Sequence, residues 1–224
     1  MKKTLALLTA VCLLLPACSL DSIYSQNVSN NMQSSTVLIK MKIHKDATET
    51  RKAHDGWGVC SGVYIDENLI LSAAHCVTTD EGTSIKQIWI KQGDVSERAV
   101  VVKVDPAADL LLLYTTLKGR PIEFADDVAR GQECWVIGNP LGLVDIVTKG
   151  VVSKINWSIK DEKARFFIVD ATALPGNSGG AVVDSDSRLI GILTRSTSLF
   201  GTFGAAGLGI AVDLKTIREF LGNI

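Results

Sequence analysis

The sequence predicts an all-β protein, and three observations carry that prediction. About twelve short apolar or alternating runs recur between residues 36 and 212, each bounded by Gly, Asp or Asn. Runs of that kind with turns between them point to barrels or sandwiches rather than alternating βαβ units. The polar stretch Lys118 to Arg130, with Gly119, Pro121 and an acidic cluster, divides the runs into two similar halves. A single helix is expected at the end, where Asp213 caps Leu214, Ile217, Phe220 and Leu221 before Gly222.

The chain opens with an address. Met1-Lys2-Lys3 is basic, Leu5 to Leu15 is almost wholly apolar, and Pro16-Ala17-Cys18 follows. Residues 1–17 therefore read as a secretory leader, too short in its apolar part to span a bilayer, which needs roughly 20 residues. Leu15-Pro16-Ala17-Cys18 resembles the bacterial lipoprotein box, which makes Cys18 the expected lipidation site and places the protein in the cell envelope, periplasm or at a membrane surface. A plain signal peptide with cleavage near Ala17 is the competing reading. Residues 18–35 are rich in Ser, Asn and Gln with little apolar content, the composition of a flexible tether.

In the body, Val37–Ile43, Gly58–Ile65, Leu69–Ser72, Ile85–Lys91, Ala99–Asp105 and Leu110–Thr115 make a first set of strands, within residues 36–120. Glu133–Gly138, Val144–Asn156, Arg165–Ala171, Ala181–Val183, Arg188–Thr194 and Leu208–Val212 make a second, within residues 121–224 and followed by the helix. Composition limits what these halves can bind. Lys+Arg 23 against Asp+Glu 24 leaves no basic excess, and aromatics are 6%, so nucleic acid is not an expected partner. With Cys12 in the leader and Cys18 assigned to lipid, three cysteines remain. Cys60 and Cys76 end two adjacent strand-like runs and are expected to pair, which leaves Cys134 as a buried free thiol. There is no CxxC pair and no histidine at ligand spacing, so no metal is expected.

Three segments carry chemistry: Leu71-Ser72-Ala73-Ala74-His75-Cys76, Asp105-Pro106-Ala107-Ala108-Asp109 with four leucines after it, and Pro175-Gly176-Asn177-Ser178-Gly179-Gly180. The last fits G-x-S-x-G, the nucleophile elbow of α/β hydrolases. Those enzymes place their histidine after the serine, and here no histidine follows Ser178. The order His75, Asp109, Ser178 fits a different template. Asp105 is the rival acid. Asp109 is preferred because the apolar run starts directly after it.

On these motifs the sequence, over residues 36–224, resembles the trypsin/chymotrypsin-fold serine proteases. The Pro-Gly-Asn-Ser-Gly-Gly and Asp-Pro-x-x-Asp-Leu segments are most similar to the HtrA-type bacterial branch, whereas a Cys60–Cys76 bridge is similar to the animal trypsin pattern. The resemblance implies two antiparallel six-stranded β-barrels with the site in the cleft between them. It implies a serine endopeptidase without cofactor, acting through an acyl-enzyme on protein or peptide substrates. Ser178 is the expected nucleophile, His75 its base, and Asp109 the group that fixes the histidine tautomer. The N–H groups of Gly176 and Ser178 are the expected oxyanion hole, and one such donor is worth about 2.7–4 kcal/mol.

Expectations for specificity rest on fewer residues. Thr172 stands six places before Ser178, where basic-specific relatives carry aspartate. Thr194, Arg195 and Ser196 are expected to pair with the substrate backbone by β-augmentation, and Leu208 to line the pocket. Together they predict a preference for small or medium aliphatic side chains. Asn177 stands where animal zymogens carry the aspartate that a new N-terminus would pair with, so activation of that kind is not expected. The sequence stops at Ile224 without the PDZ domain usual in HtrA-type proteins, so neither gating by that domain nor an HtrA-like trimer is expected. The alternatives are a catalytically silent peptide-binding relative and an esterase-like hydrolase.

Overall fold

Alternation sorts the early strands into an inner and an outer face. The computed structural model describes residues 17–48, 50, 52–158, 164–196 and 208–222, with side-chain environments from residue 25 onward. In β1 (Thr36–Lys45), Val37, Ile39 and Met41 enter a core and alternate with Leu38, Lys40 and Lys42. β2 (His54–Tyr64), β3 (Leu69–Ser72), β4 (Thr83–Gln92), β5 (Val95–Asp105) and β6 (Leu110–Thr115) complete a closed antiparallel barrel ordered β1-β2-β3-β6-β5-β4. A second closed barrel, ordered β10-β11-β12-β9-β8-β7, is built from β7 (Glu133–Gly138), β8 (Ile146–Trp157), β9 (Phe166–Val169), β10 (Ala181–Val183), β11 (Leu189–Ser196) and β12 (Gly209–Asp213).

The leucine run of β6 shows why this strand does not alternate. Leu111 and Leu113 fill the first barrel, while Leu110 and Leu112 face Trp135, Phe166 and Ile192 in the core between the barrels. A strand buried on both faces reads as continuously apolar. Cys134, Val136, Phe167, Val182 and Ile190 fill the second barrel. Cys60 of β2 is bonded to Cys76, sixteen residues on, and Cys134 is a buried free thiol. Burial and the neighbouring Asp170 and Glu133 push the Cys134 thiol up to about 12.

The expected helix is α2 (Leu214–Leu221). The Asp213 carboxylate accepts from Thr216 N–H at 2.8 Å, and Ile217 and Phe220 are buried against the inter-barrel core.

The expected flexible tether over residues 18–35 is corrected. Residues Ala17–Met32 form a helix, α1, and Ser35 and Thr36 are already buried. Val28 and Met32, four apart and so on one face, are sealed in the inter-barrel core at 0% and 1% exposure. Trp135 Nε1 donates to Ser25 Oγ at 3.3 Å, and Asn31 Nδ2 to Ser187 Oγ at 3.2 Å. Tertiary burial of two side chains outweighs a polar composition that would leave an isolated segment unfolded. Cys18 falls in the first turn of α1, and residues 1–16 of the leader lie outside the described residues.

Candidate active site

Three loops meet at the seam between the barrels. The first leaves β3 as the turn Ala74–Cys76, held on one side by the Cys60–Cys76 disulfide, and it carries His75. The second joins β5 to β6. Asp105 Oδ1 accepts from Ala107 N–H and Ala108 N–H at 3.0 and 3.1 Å, a side-chain-capped turn that delivers Asp109 at φ 54°. Asp105 is thus occupied in shaping the turn, and Asp109 is the carboxylate that reaches the histidine. His75 Nδ1 lies 2.9 Å from Asp109 Oδ2 and 3.1 Å from Oδ1, and His75 N–H donates to Oδ1 at 2.9 Å.

The Asp109 side chain is 4% exposed and that of His75 43%. A buried carboxylate needs partners, and this one has the imidazole, an amide and the Arg195 guanidinium at 3.8 Å. With Nδ1–H donated to Asp109, His75 Nε2 is left as an acceptor on the open side of the ring.

The third loop, between β9 and β10, carries Ser178, and its backbone is tied down almost atom by atom. Pro175 O accepts from Leu141 N–H at 2.8 Å, Gly176 O from Ser61 Oγ at 2.7 Å, Asn177 O from Gly180 N–H at 2.8 Å, and Ser178 O from Ser61 N–H at 2.8 Å. Asn177 N–H donates to Leu174 O and Gly179 N–H to Leu193 O. Among the described residues, Gly176 N–H and Ser178 N–H have no acceptor. In a trans peptide the C=O and N–H point opposite ways, so anchoring Pro175 O and Asn177 O turns those two N–H groups away from the anchors.

Glycine is required at two of these positions. A Cβ on Gly176, at φ 98°, would stand 2.5 Å from Asn139 O. One on Gly179, at φ 82°, would stand 2.1 Å from Ser72 Oγ, 2.2 Å from Ser61 O and 3.0 Å from Ala73 N. The second set of contacts also shows how closely the serine loop lies against the chain leading into His75.

The Ser178 hydroxyl donates to Thr194 O at 3.3 Å. Among the described residues no hydrogen bond joins it to His75. Thr194 is buried, with its own hydroxyl on Ile210 O at 3.4 Å. β10 pairs with β11 only as far as Ile192, so Thr194, Arg195 and Ser196 run past its end. Arg195 is half-buried, its guanidinium 6.0 Å from the Phe166 ring centre. Thr172 is exposed and meets the serine loop through its carbonyl, which accepts from Asn177 Nδ2 at 3.2 Å. Leu208 stands exposed just before β12, next to Gly209, which pairs with Ser196. Among the described residues no three His, Cys, Asp or Glu side chains gather as around a metal ion.

Two residues of this region escape sequence reasoning. Ser61 and Asn139 are both fully buried, and Asn139 N–H and Nδ2 donate to Ser61 Oγ at 2.8 and 3.2 Å. Asn139 Nδ2 also donates to Val37 O, and its Oδ1 accepts from Asp145 N–H. Small polar residues inside a strand, or before Pro140, follow no periodicity. The only sequence signals are the Cys-Ser-Gly and Asn-Pro-Leu-Gly runs.

Comparison with known proteins adds a family. A family model described as a trypsin-like peptidase domain matches residues 60–192. The HtrA-like serine protease of Staphylococcus haemolyticus is 30% identical over 180 residues, 73% of this chain and 27% of that protein. The HtrA-like serine protease of Staphylococcus aureus strain USA300 is 31% identical over 220 residues, 88% of this chain and 27% of that protein. Among solved structures, an HtrA-type protease AlgW with tripeptide superposes with a TM-score of 0.69 at 26% identity, covering 88% of this chain and 62% of that one. The chain spans 27% to 40% of the length of the first curated relatives it matches.

Proposed function

The chain belongs to the trypsin-like peptidase family, and from that premise we propose that it is an exported, lipid-anchored serine endopeptidase. The observation that best supports this reading is the 2.9 Å contact of His75 Nδ1 with Asp109 Oδ2, beside a serine loop in which Gly176 N–H and Ser178 N–H have no acceptor among the described residues. His75 Nε2 takes the Ser178 proton as Oγ adds to the scissile carbonyl. Asp109 holds the imidazole orientation and stabilises the imidazolium. Gly176 N–H and Ser178 N–H receive the negative oxygen of the tetrahedral intermediate. His75 then protonates the leaving amine, and water repeats the sequence on the acyl-enzyme.

The tripeptide named with AlgW supports peptides as the substrate class. Substrate lies along Thr194–Ser196 as an added strand, with Thr172 and Leu208 beside the pocket and small to medium aliphatic side chains preferred. Cys18 carries the lipid, and no helix among the described residues is long and apolar enough to cross a membrane. On this reading α1 links the lipid directly to the inter-barrel core.

A catalytically silent peptide binder is the second reading, favoured by the hydrogen bond of Ser178 Oγ to Thr194 O in place of His75. A fluorophosphonate probe separates the two. Labelling of the wild type, its absence in Ser178→Ala, and casein fragments found only with the wild type are expected. An unlabelled, folded wild type would leave the silent binder standing. The anchor has its own assay: Cys18→Ala should abolish palmitate incorporation and release the protein from membranes.

A further inference from the structure

We propose that Ser61, on the first barrel, is the positioning residue for the two amide donors that the second barrel presents to the reacting carbonyl. The proposal rests on the serine-hydrolase reading above and names a residue that acts on it from the opposite barrel.

Ser61 grips the serine loop at two points. Its hydroxyl donates to Gly176 O at 2.7 Å, and its amide donates to Ser178 O at 2.8 Å. Gly176 and Ser178 also have N–H groups of their own that lack an acceptor among the described residues. The hydroxyl is fully used, since its single O–H goes to Gly176 O while Asn139 N–H and Nδ2 fill both acceptor positions. Ser61 O in turn accepts from Ser72 Oγ at 2.7 Å, tying the clamp to the strand that leads to His75. Ser61, Ser72 and Asn139 are each 0% exposed, so water cannot replace any of these partners.

The orientation of Gly176 is what the hydroxyl controls. Gly176 sits at φ 98°, and glycine moves between backbone regions at little cost. The Gly176 N–H belongs to the peptide before it, and its aim is kept only while the peptides on both sides of the glycine stay in place. Leu141 N–H holds the peptide before Gly176, and Ser61 Oγ holds the peptide after it. Removing the hydroxyl leaves the second peptide held at one end only, by Asn177 N–H to Leu174 O, and strands two Asn139 donors in a dry site. The glycine then shifts between its two peptides and its N–H meets the developing oxyanion less well, a loss felt in the transition state more than in substrate binding.

The test compares kcat and KM of the full-length wild type, Ser61→Ala, Ser61→Thr and Ser61→Val on one peptide substrate, normalised to folded protein by circular dichroism. Thr and Val have nearly the same shape, so their difference reports the hydroxyl even where repacking costs stability. Expected is a fall in kcat of about 10- to 100-fold in Ala and Val with KM changed less than about threefold, and recovery of most of kcat in Thr. A peptidyl boronate, whose adduct places an oxygen in the same site, should weaken in parallel with kcat. A product peptide should bind equally to all four. Ala and Val variants with wild-type kcat per folded molecule, or Thr and Val equally impaired, would overturn the clamp. A folded wild type that takes no fluorophosphonate would instead overturn the underlying reading, and the clamp with it.

Discussion

Ser178 Oγ is hydrogen-bonded to the main-chain carbonyl of Thr194, 3.3 Å away. That carbonyl lies on the stretch of β11 that β10 leaves uncovered, where an added substrate strand would seek hydrogen bonds. A substrate N–H that takes Thr194 O displaces the hydroxyl and frees it for His75. A peptidyl phosphonate should therefore inactivate with a higher limiting rate than the same reagent methylated on the nitrogen next to the reactive centre. The difference is expected at about 2- to 10-fold, the worth of one ordinary hydrogen bond. Equal limiting rates with unequal affinities would show that the hydroxyl needs no release.

Asp109 and Asp105 are expected to part company under mutation. Asp109→Asn keeps the shape but presents the wrong partner to the imidazole, and a fall in kcat of about 10⁴-fold with little change in KM is expected. Asp105 caps two amides of the turn and does not touch His75. Asp105→Ala should cost about 1 kcal/mol of stability, measured by urea melts, and leave most of kcat. Matching losses of kcat in the two variants would contradict these roles.

Tyr64 offers a test through alkaline pH. It is 0% exposed, its hydroxyl has no hydrogen-bond partner among the described residues, and burial pushes its phenol up to about 12. An unfolded tyrosine titrates near 10. The folded value is the higher one, so the neutral phenol's contribution is whole below pH ~10 and is lost as the pH rises towards about 12. Tyr64→Phe removes both the unpaired hydroxyl and this titration. It should stabilise the fold by about 1 kcal/mol at pH 7, with the gap widening above pH ~10. Melts at pH 7 and pH 11 decide it.

α1 should behave as part of the domain. Val28→Ala with Met32→Ala empties two sealed positions of the inter-barrel core and should cost about 3–5 kcal/mol. Exposed Asn27→Ala on the same helix should cost under about 0.5 kcal/mol. A double variant as stable as the wild type would restore the tether.

These cases show what is legible in a single sequence. The twelve strands are, because alternation in β1 and the two-faced burial of β6 leave periodic traces. His75 and Asp109 are, because each sits in a short local motif, and the fold brings them into contact. α1 is not, because two apolar side chains in a polar segment give no period until the groove that receives them exists. Ser61 and Asn139 are not, because a hydrogen bond between residues 78 apart depends on how two barrels meet. The partner of Ser178 Oγ is not, because a side-chain rotamer follows from packing.

Arg195 gives the cleft a charge that the motifs alone do not announce. Its guanidinium lies 3.8 Å from Asp109 Oδ2 and is 37% exposed, so one face meets the buried carboxylate and the rest meets the cleft. Asp109 also has the imidazole and an amide as partners, which leaves donors of the guanidinium for a ligand. A substrate strand along Thr194–Ser196 places its side chains within reach of that cation. Peptides with Glu as the second residue before the cleaved bond should be cut about three- to fivefold faster than those with Lys there, a ratio limited by solvent screening. Arg195→Glu should reverse the order of the two peptides, and raising salt should compress the ratio in both proteins. A preference that ignores both charge reversal and salt would assign Arg195 to holding Asp109 alone.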